Sequence, residues 1–137
     1  MGVEANKATL RRYFFEVLNK GNHDIWADLM TNDYVLRNPQ VGSEHKGKEG
    51  SKEFYTGRKV MSSDSEFTID EMIGEGDTVV IRGTLKGTND GELLGRKPTG
   101  KKFSRLYVGI FRFEGGKIAE GWTLQDLFGF FKQLEIS

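Results

Sequence analysis

Apolar residues recur along the first half of the chain at the spacing that is typical of amphipathic helices. In a first helix, the positions one and two turns apart are apolar, namely Leu10, Tyr13, Phe14, Val17 and Leu18. This helix is predicted to end at Gly21, because glycine readily adopts the left-handed conformation that closes a helix. A second helix is predicted over residues 22–30 and a third over residues 48–61.

In the second half, apolar and polar residues alternate, which is typical of β-strands. Together with a short early strand, this predicts strands over 33–38, 67–74, 78–88, 102–114 and after Gly116, then a helix over 127–134. Loops are predicted over 41–47 and 89–101. Helices followed by a meander of strands predict an α+β fold, with a single domain over residues 1–137. Its curved antiparallel or mixed sheet should wrap around three N-terminal helices and leave a cavity.

The composition excludes several classes of function. The absence of cysteine rules out thiol catalysis, disulfide bonds and cysteine-ligated metals. Twenty basic residues balance twenty acidic ones, so no net field favours nucleic acid or an anionic membrane. Since the sequence shows neither an apolar leader nor a long apolar run, we expect a cytoplasmic protein that binds neither nucleic acid nor membrane.

The end of the chain carries the strongest candidate for proton chemistry. Glu120, Trp122 and Asp126 stand at even positions, so their side chains share one face of the last strand. If that face lines the cavity, neighbouring apolar residues would desolvate Asp126 and suit it to act as a general acid and base. Asp126 also precedes the helix over 127–134, where aspartate is a favoured N-cap. The sequence leaves both roles open.

Other side chains are candidates for contacting a small apolar ligand, and each has a plain structural alternative. Trp122 and Trp26 could shape the cavity or pack in the core. Arg105 stands among aromatic residues of its strand, either as an anchor for an anion or carbonyl group or as a side chain that reaches solvent. Tyr13 could donate a hydrogen bond or be a core tyrosine, and Asn38 could orient a ligand or form a turn.

The sequence predicts no metal or organic cofactor. His23 and His45 lie on predicted surface segments and lack metal-ligand spacing, so we assign neither a role. The chain has no glycine-rich phosphate loop before a helix and no nucleophile elbow.

Motifs spread over nearly the whole chain carry a family resemblance. They include N-K-G-N-H-D, D-Y-V-L-R-N-P, G-E-G-D-T-V-V-I-R-G-T-L-K-G-T, G-E-L-L-G-R-K-P-T-G-K-K, I-F-R-F-E-G-G-K-I-A-E-G-W and L-Q-D-L-F-G-F-F-K-Q-L. In these motifs the chain resembles the SnoaL-like polyketide cyclases, within the nuclear-transport-factor-like α+β cone superfamily. The resemblance implies a cone-shaped fold, often a homodimer, and a cofactor-independent cyclase. Its essential acid and base is an aspartate, which Asp126 matches here.

The chain departs from its relatives at several positions. Many SnoaL-like proteins carry histidine where this chain has Arg37 and Asn89, so the histidine half of an acid-base pair is missing at both places. In steroid isomerases of the same superfamily, the oxyanion-hole tyrosine is matched by Tyr13, but Asn38 and Gly109 replace the two functional aspartates. Because an amide cannot abstract a proton at neutral pH, the isomerase mechanism is disfavoured.

Two hypotheses of different classes follow. In the first, an enzyme abstracts a proton next to a carbonyl group of a polyketide-like or cyclic ketone, with aldol-type cyclisation or isomerisation. Asp126 would move the proton, and Tyr13, Asn38 or Arg105 would stabilise the enolate oxygen. In the second, the chain is a non-catalytic small-molecule-binding or dimerisation module. A cofactor-free oxygenase is a third hypothesis, which the sequence does not separate from a cyclase.

Two structural features distinguish these hypotheses. A large apolar cavity faced by Asp126 would favour the enzyme, whereas a cavity filled by phenylalanine and methionine would favour the module. We also expect a homodimer formed through the outer face of the sheet. Leu106, Val108 and Ile110 lie opposite the predicted cavity-facing residues of their strand, and an exposed apolar surface of this kind usually marks an interface.

Overall fold

The helices lie in the first half of the chain and at its end. The computed structural model describes residues 2–136. Its helices are α1 (Val3–Arg12), continued by a π-helical segment (Tyr13–Asn19), a 3-10 turn (His23–Ile25), α2 (Trp26–Leu29), α3 (Gly47–Met61) and α4 (Leu127–Leu134). The second predicted helix is shorter than expected, because the chain enters a strand at Met30. None of the helices over residues 2–136 is long and apolar enough to cross a membrane.

Six strands of the described chain form one open mixed sheet. They are β1 (Met30–Asn38), β2 (Ser43–Lys46), β3 (Glu66–Glu75), β4 (Thr78–Thr88), β5 (Lys102–Glu114) and β6 (Lys117–Gln125). Their order is β2-β1-β6-β5-β4-β3, and all neighbouring pairs are antiparallel except β1 and β6. The predicted α+β fold is confirmed.

Strand β2 was not predicted, and the loop predicted over residues 41–47 is wrong at this point. The strand pairs with β1 at the edge of the sheet, where Val35 lies opposite Lys46. Its four residues are all polar or charged, so the alternation that identifies the other strands is missing. As a consequence, His45 lies in a strand beside helix α3 rather than in a surface loop.

The first helix widens into a π-helix before it ends. Such geometry is rare and frequently occurs at functional sites. The side chain of Asn19 stops the segment: its amide group donates to the Phe67 carbonyl at 2.9 Å and accepts from the Phe67 N–H at 2.7 Å. Gly21 follows with a φ of 75°, the left-handed conformation that the sequence predicted for it. The end of the helix is thereby fixed against strand β3.

One extra residue in β6 decides which face of that strand lines the interior. Near the turn, Phe113 lies opposite Ile118, but the register then shifts so that Arg112 lies opposite Glu120. The shift leaves Ala119 as the additional residue of a β-bulge. Because side chains alternate along a strand, a shift of one residue moves every later side chain to the other face. Trp122 consequently lies on the convex face of the sheet.

Both faces of the sheet carry apolar residues. On the concave face, Phe14 stacks on Tyr107 with ring centres 5.8 Å apart and meets Phe111 edge-on at 5.7 Å. The convex face carries a second apolar surface, which we call the outer patch. Its members are 39% to 46% exposed and are Leu106, Val108, Ile110, Trp122 and Leu124.

Candidate functional site

A pocket opens between helix α3, the ends of strands β1 and β6, strand β5 and the start of α4. We call it the mouth pocket; its volume is about 260 Å³. The lining combines apolar and polar side chains, as ligand sites usually do. The lining residues are Asn38, His45, Glu53, Phe54, Gly57, Arg58, Met61, Leu93, Arg105, Gln125 and Leu127.

Behind the mouth pocket lies a much smaller space, the inner chamber. The two share Phe54 and Gln125 in their linings. Its other lining residues are Tyr13, Phe14, Leu18, Leu36, Phe67, Tyr107, Phe111 and Thr123. The inner chamber has a volume of about 10 Å³, close to the space that one water molecule needs. Aromatic rings therefore fill the interior of the cone, and room for a ligand lies at its mouth.

Arg58, from α3, forms part of the buried wall of the mouth pocket. Its Nε donates to Ser65 Oγ at 3.0 Å, its Nη2 donates to the Leu18 carbonyl, and its guanidinium lies 4.7 Å from the Phe67 ring centre. Its Nη1 is buried without a hydrogen-bond partner among the described residues. Burial lowers the pKa of Arg58 to about 10, so it remains charged at neutral pH.

Arg105, from β5, is the second cation of the mouth pocket. Its guanidinium lies 4.7 Å from the ring centre of Phe130 in α4. The Nε atom is buried and has no hydrogen-bond partner within residues 2–136. Burial, and then repulsion from Arg58, lowers the pKa of Arg105 to about 10. Arg105 as a whole is half-buried, with its Nε enclosed, and both predicted roles of its side chain stay predictions.

Two amide side chains complete the polar lining. Asn38 ends β1, and its Oδ1 is buried with no partner among the described residues. Gln125 ends β6, and its backbone is held on both sides by Gln40, whose Nε2 donates to the Gln125 carbonyl at 2.9 Å. Both strand ends are fixed, so the two amides are presented to the pocket from rigid backbone. Asn38 and Arg105 are the two predicted ligand-binding residues that the structure brings together here.

His45 and Glu53 are titratable residues of the mouth pocket that sequence reasoning missed. The His45 ring packs against Phe54 with ring centres 5.4 Å apart. Its backbone is held close to α3 at Gly50, where a Cβ atom would come within 2.5 Å of the His45 carbonyl carbon. The sequence offered one usable signal, a glycine early in the third helix, but the apolar pattern gave no strand that would place His45 against it.

Asp126 lies outside the mouth pocket. It is exposed, and its Oδ1 accepts a hydrogen bond from the Gly129 N–H at 2.9 Å, which makes it the N-cap of α4. Glu120 and Trp122 share one face, as predicted, but the bulge at Ala119 turns that face outward, and the strand ends at Gln125, before Asp126. The cavity wall is formed instead by the odd-numbered Thr123 and Gln125. The cap is present, and a catalytic role of Asp126 stays a prediction.

The other predicted ligand-binding residues lie apart from the mouth pocket. Trp122 belongs to the outer patch. Trp26 is buried against Tyr34, with ring centres 6.2 Å apart, and its indole Nε1 has no partner among the described residues. Tyr13 lines the inner chamber, where its hydroxyl lies 3.1 Å from that of Tyr34 and burial raises its pKa to about 12. The hydroxyl of Tyr13 is therefore available to the inner chamber alone.

His23 is buried, contrary to the prediction of a surface position. Its Nδ1 lies 3.1 Å from the Gly21 carbonyl oxygen and its Nε2 lies 3.2 Å from Ser51 Oγ. The tight turn after the first helix folds this residue back onto α3, which a linear apolar pattern does not reveal. Within residues 2–136, no three His, Asp or Glu side chains are grouped so that they could hold a metal ion.

The architecture has counterparts among solved structures of Streptomyces proteins. IdmH from Streptomyces antibioticus, named as a candidate polyketide cyclase, has a TM-score of 0.84 at 24% identity, covering 96% of this chain and 99% of that one. TsrD from Streptomyces laurentii has a TM-score of 0.82 at 27% identity, covering 98% and 97%. AclR from Streptomyces galilaeus, named as a candidate hydroxylase, has a TM-score of 0.82 at 22% identity, covering 98% of each chain. At such identities the likeness defines the class of fold, the α+β cone.

The family is defined by the sequence itself. The profile of the SnoaL-like polyketide cyclases matches residues 8–134, from the first helix to the end of α4. The chain therefore belongs to the SnoaL-like polyketide cyclase family. No curated protein is similar enough to this chain to be counted as a relative.

Proposed function

We propose that this protein is a cofactor-independent enzyme that removes a proton next to the carbonyl group of a small cyclic or polyketide-like compound, leading to aldol-type ring closure or isomerisation. The mouth pocket is the proposed site. The observation that carries the proposal is a set of buried polar atoms that have no partner within residues 2–136, on Asn38, Arg58 and Arg105, which all line this one pocket. Buried polar groups usually have partners, so such a set favours a site that a ligand completes.

Each group of lining residues has a proposed role. Arg105 stabilises the negative charge that develops on the carbonyl oxygen, and the side-chain N–H groups of Asn38 and Gln125 donate to that oxygen and orient it. Phe54 and Leu127 contact the apolar body of the substrate. A preorganised donor aimed at a developing oxyanion typically contributes roughly 3 kcal/mol to transition-state stabilisation. Because Arg105 is held on the ring of Phe130, little reorganisation is needed when the charge develops.

Two residues compete for the role of proton acceptor. The family resemblance assigns it to Asp126, which is exposed and caps α4. His45 lines the mouth pocket, and imidazole is the side chain best suited to accept and return protons near neutral pH. We therefore propose His45 as the proton shuttle and keep Asp126 as the alternative.

The experiment needs no natural substrate. Incorporation of deuterium from heavy water next to the carbonyl of 2-tetralone can be followed by NMR, with and without protein. We expect the protein to accelerate exchange, and His45→Gln to lower the protein-catalysed rate by about 10² to 10⁴, the usual contribution of a general base. Asp126→Asn should retain the rate, since asparagine also caps helices.

The reverse result would move the role to Asp126: exchange lost in Asp126→Asn and kept in His45→Gln. Absence of any accelerated exchange by the unmodified protein, across several cyclic ketones, would contradict the enzyme proposal. The melting temperatures of both variants serve as the control that each one is folded.

One observation favours the second candidate function, a non-catalytic binding module. The inner chamber is almost filled by aromatic side chains, Phe14 and Tyr107 among them, and Asp126 does not face it. A ligand would then reach only the mouth pocket. Tight binding of a cyclic ketone without any proton exchange would support the binding module over the enzyme.

A further inference from the structure

We propose that the mouth pocket selects compounds that carry a carboxylate beside an apolar body, and that Arg105 is the residue that recognises the carboxylate. This inference rests on the proposed function in one respect, because it assigns a substrate class to the same pocket. It adds a permanent negative charge on the ligand, which proton abstraction next to a carbonyl does not require.

The lining of the mouth pocket carries an excess of positive charge. Arg58 and Arg105 both line it, and neither forms an ion pair with a carboxylate of residues 2–136. The one carboxylate among the described lining residues is Glu53, which is exposed on α3. A charge that is wholly or partly buried normally has a partner of opposite sign, so the buried Arg58 and the half-buried Arg105, facing one exposed anion, leave the site short of negative charge.

The two guanidinium groups of the mouth pocket share one geometry. Each one lies over an aromatic ring at 4.7 Å, Arg58 over Phe67 and Arg105 over Phe130. Ring stacking occupies the face of a guanidinium and leaves the N–H groups at its edge free to donate. The atoms without partners, Arg58 Nη1 and Arg105 Nε, are such edge donors. Planar N–H pairs match the two oxygens of a carboxylate, which accepts hydrogen bonds only.

The two arginines differ in their hydrogen-bond partners. Arg58 already donates to Ser65 Oγ and to the Leu18 carbonyl, so it also holds α3 to its neighbours. The Nε of Arg105 has no hydrogen-bond partner among the described residues, and the guanidinium is held by its contact with the Phe130 ring. Arg105 is therefore the group whose donors a ligand would complete, while Arg58 adds positive potential behind it.

The apolar part of the lining defines the rest of the ligand. Met61, Leu93 and Leu127 contribute aliphatic surface, and Phe54 contributes a ring that separates the mouth pocket from the inner chamber. With a volume of about 260 Å³, the pocket suits a compound of one or two fused rings rather than a larger skeleton. A bicyclic aromatic acid has both required parts.

The test compares probes that differ only in charge. Binding of 2-naphthoate and of the neutral 2-naphthamide is measured by isothermal titration calorimetry on the full chain. We expect the acid to bind about tenfold more tightly or better, which corresponds to roughly 1.4 kcal/mol. We also expect Arg105→Gln to remove this preference and Arg105→Lys to retain part of it. Arg112→Gln is the matched control, because it removes an exposed charge from the opposite face of the same strand.

The outcomes separate this inference from the proposed function. If naphthamide binds as tightly as naphthoate, carboxylate recognition is overturned while a ketone-binding pocket survives. If neither probe binds and no ketone undergoes exchange, both the carboxylate assignment and the proposed enzyme function are contradicted. Tighter binding of inorganic phosphate than of naphthoate would also overturn the carboxylate assignment. If Arg105→Gln does not fold, the ratio of the affinities for naphthoate and naphthamide in the unmodified protein still tests the carboxylate assignment. The assignment predicts that this ratio disappears at high salt.

Discussion

The guanidinium of Arg105 lies over the ring of Phe130, 4.7 Å from its centre, and joins strand β5 to helix α4. The same ring meets Phe103 edge-on at 4.9 Å. Asp126 caps the helix that carries Phe130. A change at the cap can therefore reach the mouth pocket through Phe130, although Asp126 is not part of the pocket lining.

The first prediction concerns that cap. Asp126→Ala should lower the free energy of unfolding by about 1 kcal/mol, because the Gly129 N–H loses its acceptor, whereas Asp126→Asn should change it by only a few tenths. Urea unfolding monitored by circular dichroism measures both values. We expect Asp126→Ala to weaken naphthoate binding modestly as well, through the displaced Phe130. Equal stability of the two variants would show that the cap contributes nothing.

The second prediction is that Arg105→Met makes the protein more stable while removing carboxylate binding. A buried cation without an ion pair lowers stability, and an apolar side chain of similar length should raise the free energy of unfolding by roughly 1 to 3 kcal/mol. Thermal unfolding near neutral pH, without ligand, measures the change. A loss of stability instead would mean that the contact with Phe130 outweighs the burial of the charge.

The third prediction follows from the lowered pKa of Arg105. Burial lowers this pKa from the ordinary value of a guanidinium to about 10, so below about pH 10 Arg105 is protonated in both the folded and the unfolded state, and the full penalty for burying the charge is present. Between the two values the unfolded chain binds more protons, and stability rises with pH. The gain in the free energy of unfolding that Arg105→Met gives over the unmodified protein should therefore become smaller as pH rises through about 10. Denaturant unfolding of both proteins over this range tests it, and a constant advantage would contradict it.

The fourth prediction concerns the close contact between Gly50 of helix α3 and His45. Gly50→Ala would place a Cβ atom within 2.5 Å of the His45 carbonyl carbon, so β2 must shift and His45 with it. We expect a stability loss of about 1 to 3 kcal/mol and slower deuterium exchange into 2-tetralone. Thr56→Ala is the control, since Thr56 is an exposed residue of the same helix outside the mouth pocket and alanine favours helix. Similar behaviour of the two variants would argue against His45 as the shuttle.

The fifth prediction is that the chain forms a homodimer through the outer patch, which we propose from its exposed apolar side chains. Light scattering should give twice the mass of one chain, and Ile110→Lys should give a monomer because it places a charge at the centre of the patch. Val60→Lys, at an exposed apolar position of α3, is the matched control and should remain dimeric. A monomer before any substitution would exclude this interface.

The sequence predicted reliably which residues lie on the same face of the sheet. It was less reliable in predicting whether that face points toward the core or outward. Alternation correctly grouped Trp122 with Glu120, since the period of a strand is a local property. The face of the sheet on which these residues lie depends on a single inserted residue, Ala119. The residue types near the turn do not indicate a bulge. Two apolar faces made the choice harder, because hydrophobicity alone could not distinguish the core face from the outer patch.

The candidate site was predictable only in part, for a related reason. Arg105 could be singled out because a charge among strand aromatics is unusual, and Asn38 because it ends a strand before proline. His45 and Arg58 were missed. His45 lies in a polar edge strand, and Arg58 occupies the buried side of a helix, where it is held by the Leu18 carbonyl, distant in sequence. Contacts between remote segments, which local patterns do not encode, complete the mouth pocket.

The pairing of Asn19 with Phe67 has a consequence for solubility. Strand β3 is an edge of the sheet, and edge strands can recruit strands of other molecules and so begin aggregation. The Asn19 side chain occupies both the N–H and the carbonyl group of Phe67, much as a neighbouring strand would. The end of the first helix thereby occupies the open edge at Phe67, where a strand of another molecule could pair only by displacing Asn19.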